Sequence, residues 1–218
     1  MNKSNSKNIL LFASGKHVDV LIDAIIIENK YEIFGIVSVD GVQLMSEYDY
    51  QTFSLNSNLY NVITENNIQG GIFAIDNNNK RKKVSNQIRL QIPNFKLIKL
   101  IHPEAIIGKD VEIGEGSIIL AGAVINSDSV IGDCCILNIQ SSLGHEGKMD
   151  DYSSLSFGVI TGGNFHLGEN SSIMMGSSII ENISIGKNTI VKEGSLVINN
   201  FLSNKIVFGV PAKEVSSV

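Results

Sequence analysis

From Ile101 to Val191 an aliphatic residue returns at every sixth position: Ile101, Ile107, Ile113, Ile119, Ile125, Ile131, Leu137, Leu143, Met149, Leu155, then Leu167, Ile173, Ile179, Ile185 and Val191. Thr161 alone interrupts the series. A fixed period held over many units marks a stacked repeat architecture. The polar columns agree with that reading. Three residues after the aliphatic position stand Asp110, Gly116, Gly122, Asp128, Gly158, Asn164, Asn170, Gly176, Asn182, Asn188 and Gly194. Gly, Asn and Asp enter left-handed backbone most cheaply, so this column marks corners. One position further on, the residue is mostly small, as expected inside a tight corner. Short strand, corner and short strand, repeated, build a prism. Three hexads per coil stack each residue on the one eighteen positions away, with a rise of about 4.8 Å per coil.

Residues 1–100 carry no such beat. Asn8–Ala13 is a short apolar run that suits a buried parallel strand. The turn Ser14-Gly15-Lys16 follows, and residues 17–29 have helical spacing. Further strands are expected over 32–37, 71–75 and 95–101, and helices over 59–66 and 80–91. Alternating strand and helix predicts a small Rossmann-like parallel α/β domain. The polar segment 41–58 reads as an irregular, mobile loop.

The whole chain sets few further bounds. With 218 residues, 43% hydrophobic and 18% charged, it suits a globular protein. A net charge of -5 argues against a nucleic-acid or anionic-membrane surface, although local amides can still hold phosphates. The two cysteines, Cys134 and Cys135, are adjacent, which disfavours a disulfide and suggests a reduced, cytoplasmic setting. The apolar run ending at Ile27 is too short for a membrane span and is broken by Asp19, Asp23 and Glu28. No CxxC or HExxH pattern is present, so no metal site is expected.

Candidate chemistry lies where the prism does not dictate the residue. His145 occupies a third hexad position, in the column Ser127, His145, Gly163, Glu181, Asn199. One coil beyond a potential base therefore lies a glycine whose N–H could face the same reacting centre. A base and an oxyanion donor one coil apart suit acyl transfer, and an imidazole ordinarily titrates near neutrality. Position alone leaves open that His145 is an ordinary surface residue beside a corner. Glu146 lies in the corner column, where Asp and Asn are common, so its structural reading is stronger than that of His145, and Asn138, beside a turn, has one too. In the first half, Ser14, Gly15, Lys16 and His17 follow a strand and open a helix, a geometry that offers amides to an anion. The full GxGxxG of a dinucleotide site is lacking.

Together these residues resemble the bacterial hexapeptide-repeat sugar acetyltransferases of the sialic-acid O-acetyltransferase type. That group includes enzymes that N-acetylate nucleotide-linked 4-amino-4,6-dideoxy sugars. The likeness runs through Ala13-Ser14-Gly15, Ile75 to Arg81, Ile101-His102-Pro103-Glu104-Ala105 and Ala121-Gly122-Ala123-Val124-Ile125-Asn126. It continues through Asn138, His145-Glu146, Gly162-Gly163 and Gly209-Val210-Pro211-Ala212-Lys213. The resemblance implies a left-handed parallel β-helix, an exception to the usual crossover hand. It implies a Rossmann-like nucleotide-sugar-binding domain over 1–100, then a catalytic, acetyl-CoA-binding β-helix over 101–218 with a C-terminal tail.

The same resemblance implies a homotrimer with acetyl-CoA between neighbouring prisms. It makes His145 the general base, Glu146 its acidic support, Asn138 a polar site residue and Gly163 the amide that polarises the thioester carbonyl. It places Gly176, Gly194 and Pro211 with the part that accommodates CoA, and Ser14, Gly15, Lys16, His17 and Asp40 at the nucleotide. The chain departs from the family pattern at Phe12, usually Gly, at Lys16, where His is usual, and at Ser154, a common His. The acidic run after the second strand is reduced to Asp40. The expected reaction is acetyl transfer to the amine of a nucleotide-linked sugar, UDP-linked for preference, for surface glycan biosynthesis. O-acetylation of a sialic or related sugar acid is the alternative within enzymes, and a non-catalytic β-helix used for assembly is the alternative outside them.

Overall fold

The computed structural model describes residues 7–14, 18–41 and 48–218. The chain divides into two compact units, Met1–His102 and Pro103–Val218. The first holds β1 (Asn8–Ala13), α1 (Val18–Glu28), β2 (Glu32–Ser38), β3 (Thr52–Ser54), α2 (Leu59–Glu65), β4 (Gly70–Ala74) and α3 (Asn78–Gln91). The four strands form one parallel sheet in the order β3-β2-β1-β4. β1 is buried from Ile9 to Ala13 and β4 along its whole length. Continuous apolar runs without alternation are what strands covered on both faces require.

The core of this sheet accounts for Phe12. Its ring stacks on Phe73 at a centroid distance of 4.6 Å and meets Phe95 edge-on at 5.8 Å. A β-carbon at Gly71 would come within 2.7 Å of Phe12 and 2.8 Å of Phe95. The large residue on one strand is thus accommodated by the missing side chain on its neighbour, as close packing demands.

Several expected boundaries move. The segment 41–58 is not wholly irregular, because Thr52–Ser54 pairs with Ile36–Ser38 as the sheet edge. Residues 42–47 of that segment lie outside the described residues. Edge pairing needs only a short, half-exposed stretch, and three residues give too little pattern to read. The strand expected over 95–101 is reduced to a parallel bridge from Leu97 to Gly71 and the two-residue strand Leu100–Ile101. α3 starts at Asn78, two residues before the expected Lys80. The Asn77 side chain accepts the Lys80 N–H at 2.9 Å and caps the helix there. His17, the expected first residue of α1, lies outside the described residues.

The second unit is a parallel β-helix of two-residue strands. Its register is the eighteen-residue stack: Ile119 pairs with Leu137, Leu137 with Leu155, Leu155 with Ile173 and Ile173 with Val191. Two other faces repeat this order, one through Ile125, Leu143, Thr161, Ile179 and Val197, the other through Ile113, Ile131, Met149, Leu167 and Ile185. From Ile119 onward every aliphatic residue of the beat is buried. Each removes apolar area from water worth roughly 1.5–3 kcal/mol before chain entropy is counted. An antiparallel hairpin, Lys205–Gly209 with Ala212–Ser217, closes the first of these faces.

The corner column has positive φ at every hexad from Asp110 to Gly194, including Cys134, Gln140, Glu146 and Tyr152, which are not turn formers. The next column is interior, and it is not small for want of space: Val159 and Phe165 are as fully buried there as the serines. Its serines instead bond one coil to the next. Ser117 Oγ donates to Gly132 O at 2.7 Å and accepts the Cys135 N–H at 2.9 Å. Ser177 Oγ donates to Lys192 O at 2.9 Å and accepts the Ser195 N–H at 3.2 Å. A buried hydroxyl that both donates and accepts satisfies backbone groups that the short strands leave over. Ser177→Ala should therefore cost about 1–3 kcal/mol in chemical denaturation, against less than about 0.5 kcal/mol for its exposed neighbour Ser178→Ala. Equal losses for the two would contradict this account.

Candidate functional site

In the β-helix, His145 and Gly163 stand one above the other at one edge of the prism. A β-carbon at Gly163 would overlap the His145 ring, meeting Nε2, Cε1 and Cδ2. Any side chain there would turn the imidazole out of this position, and the constraint comes from that contact because the residue does not lie in the left-handed region. The backbones are joined as well, with the Asn164 N–H donating to His145 O at 2.8 Å. Among the described residues, no acceptor takes the Gly163 N–H.

Elsewhere in the repeat a third-position side chain turns back toward the preceding coil. Asp133 accepts the Glu115 N–H at 2.8 Å, and Asp151 accepts the Asp133 N–H at 2.8 Å. His145 does not act in this way. Its side chain is 63% exposed, and its Nδ1 lies 3.5 Å from Glu146 Oε2. That leaves Nε2 on the Gly163 side. Glu146 sits at φ 54°, where an ordinary side chain costs about 1 kcal/mol or more. The arrangement holds an accessible base, an acidic neighbour on its other ring nitrogen and an unused amide donor within one corner of two adjacent coils.

The remaining candidates do not converge on that corner within one chain. Asn138 is buried at the next edge of the prism, where its Oδ1 accepts the Ile139 N–H at 2.9 Å. Gly176 and Gly194 lie on that same second edge with φ of 67° and 64°, and an added β-carbon would meet nothing within 4 Å. They form an open glycine edge. Pro211 lies in the turn of the C-terminal hairpin. A whole face of the prism separates the edge of His145 from that of Asn138, Gly176 and Gly194. His166, which had no expected role, pairs with Asp150 at 2.9 Å on another face. Among the described residues no group of His, Cys, Asp or Glu could hold a metal ion.

In the first unit, Ser14 and Asp40 come together at the carboxyl ends of β1 and β2. Ser14 Oγ donates to Asp40 Oδ2 at 2.7 Å. Lys80, from the first turn of α3, donates to Ser14 Oγ at 2.9 Å and forms an ion pair with Asp40. The Lys80 ammonium, and after it the Ser14 hydroxyl, hold the Asp40 carboxyl below its ordinary value. Ligands of open parallel sheets lie at this end of the strands. The sequence reading did not single out Lys80, although it lies within the Ile75 to Arg81 stretch of the family likeness and three residues after the capping Asn77. Gly15, Lys16 and His17 lie outside the described residues.

No family model matches the chain. A stretch of 50 residues, 23% of the chain, is 42% identical to the UDP-N-acetylbacillosamine N-acetyltransferase of Bacillus subtilis (strain 168). That stretch spans 22% of the relative's own length. Among solved structures, PerB from Caulobacter crescentus, in complex with CoA and GDP-perosamine, superposes with a TM-score of 0.87 at 26% identity. The superposition covers 96% of this chain and 97% of that one. A mutant of the perosamine N-acetyltransferase from the same organism, with one histidine replaced by asparagine, superposes at 0.88 with the same two ligands. The acetyltransferase domain of PglB from Neisseria gonorrhoeae FA1090, in complex with acetyl coenzyme A, has the same fold at 24% identity, with a TM-score of 0.85 over 97% of this chain and all of that one.

The Asp40 cluster generates a test with a definite sign. A carboxyl held below its ordinary value keeps its partners as pH falls through about 4 and loses them only beneath it. A carbon-detected titration should place the Asp40 midpoint under the ordinary range, and Lys80→Ala should raise it. A midpoint unmoved by Lys80→Ala would contradict the assignment.

Proposed function

We propose that this chain, whose homologues are sugar N-acetyltransferases, moves the acetyl group of acetyl-CoA to the amine of a nucleotide-linked 4-amino-4,6-dideoxy sugar. The observation that carries the proposal is the imidazole of His145 standing on Gly163, with an unused N–H beside it. His145 Nε2 removes a proton from the attacking amine as its nitrogen bonds to the thioester carbonyl carbon. The Gly163 N–H donates to the oxygen that becomes an oxyanion, and Glu146 beside Nδ1 stabilises the imidazolium. On collapse the carbon–sulfur bond breaks, and the imidazolium returns its proton to the departing thiolate. Protons and electrons balance within these groups.

The first unit supplies the nucleotide end in this reading. Lys80 offers a cation to phosphate, and Asp40 and Ser14 offer acceptors to ribose or base hydrogens. The prism takes the left hand of the family it resembles. Assembly as a trimer is supported by the face between the two edges. It exposes Ile160, Ile180 and Ile198, with Phe157 and Met175 along the glycine edge. Contiguous exposed apolar surface of this kind marks an interaction site. Copies packed about that face would bring the Asn138, Gly176 and Gly194 edge of one against the His145 edge of the next. Two buried thiols that form no disulfide, Cys134 and Cys135, fit a reducing cytoplasmic setting, with the product passing to surface glycan synthesis.

Acetyl-CoA turnover against UDP-, dTDP- and GDP-linked 4-amino-4,6-dideoxy sugars and free sialic acid, read by product mass, tests the reading. One of the amino sugars, UDP-linked for preference, should gain an acetyl group in protein that runs as a trimer by light scattering. His145→Ala should remain folded and trimeric and lose about 10²–10⁴ in turnover. Acetylation of sialic acid alone, or near-normal turnover of His145→Ala, would contradict the proposal.

A further inference from the structure

From Gly108 to Ile180 the residue after each column position, Gly144 excepted, donates its N–H to the carbonyl of the aliphatic residue eighteen positions beyond that column position. Asn126 donates to Leu143 at 3.0 Å, Asn138 to Leu155 at 2.9 Å, Asp150 to Leu167 at 2.9 Å and Gly162 to Ile179 at 2.9 Å. Gly144 departs from the rule. Its N–H goes to the side-chain Oγ1 of Thr161 at 3.1 Å instead of to a backbone carbonyl. The strand pairing departs at the same rung. Ser142 pairs with Ile160, but Leu143 and Thr161 do not pair. On the preceding coil Ile125 pairs normally with Leu143, so the irregularity is confined to one rung.

Thr161 is also the one polar residue in the aliphatic column, and it is only 5% exposed. A buried hydroxyl costs free energy unless it is bonded, and a valine of the same shape would fill the column with apolar surface. The irregular rung lies directly between the two groups assigned to the chemistry. Gly144 precedes His145, and Thr161 leads through Gly162 into Gly163.

We propose that Thr161 is a positioning residue for the acetyl-transfer site. Its hydroxyl, in place of its own carbonyl, holds the Gly144 amide and so fixes how His145 stands over Gly163. The inference rests on the reading of His145 as base and Gly163 as oxyanion donor. Elsewhere in this column the backbone rung is intact, and side-chain bonds between coils are additional to it. At this rung a side chain replaces the backbone bond, and the spacing of imidazole and amide follows from that contact.

Thr161→Val keeps the shape and removes the acceptor. It should still fold, because the added apolar contact offsets the acceptor that the buried Gly144 N–H loses, and any fall in thermal stability should stay too small to unfold it under assay conditions. Its kcat should fall about 10²-fold, the scale of a misplacement near 1 Å, with both KM values held within about twofold. Thr161→Ser, which keeps the hydroxyl, should restore most of kcat. Full kcat in Thr161→Val, or equal losses in the valine and serine variants, would overturn the proposal. If Thr161→Val folds poorly, Thr161→Ala against Thr161→Ser makes the same comparison. A second readout needs no turnover: Thr161→Val should shift the NMR signals of the Gly144 and Gly163 amides and the His145 ring, while Thr161→Ser leaves them near their places. Unmoved signals in Thr161→Val overturn the positioning role, whereas a protein that acetylates none of the sugars overturns the proposed activity alone.

Discussion

Residue stacked on residue at an interval of eighteen is the constraint on which the second unit depends. A two-residue strand cannot bury a side chain or satisfy its own amides. Stacked in parallel, such strands close a column of aliphatic side chains inside the prism and pair their backbone groups with the coils on either side. The corners must then turn within a few residues, so each takes a left-handed conformation. The same interval that packs Leu137 on Leu155 sets His145 on Gly163. The chemistry assigned to this chain therefore uses a distance that the core imposes.

Much of this was legible in the sequence because the period is strict. The aliphatic column, the corner column and the stacking of positions 145 and 163 all follow from counting by six. The interior serines were visible only as small residues. Their hydroxyl bonds to Gly132 O and Lys192 O depend on which way the side chain turns, and spacing does not carry that. Thr161 stood out as an interruption, but its bond to Gly144 became visible only when the missing backbone rung did.

The first unit was harder to read because its strands contact one another across long stretches of chain. β1 and β4 announced themselves by unbroken apolar runs. β3 is three residues at an edge, too short to show a pattern, and the lone bridge at Leu97 left no more trace. Lys80 reaches Ser14 and Asp40 from positions far away in sequence, and only the parallel sheet brings their elements together. Asn138, Gly176 and Gly194 teach a different lesson. Their likeness to the family was legible, but one chain sets them on an edge away from His145, so motif and proximity are separate facts.

A crystal structure of the protein with CoA and a nucleotide-linked amino sugar tests the central claim most directly. The account predicts the sugar amine within hydrogen-bond reach of His145 Nε2, about 3 Å, and the sulfur end of CoA beside the Gly163 N–H. An amine or a CoA sulfur bound away from the stacked pair would contradict it.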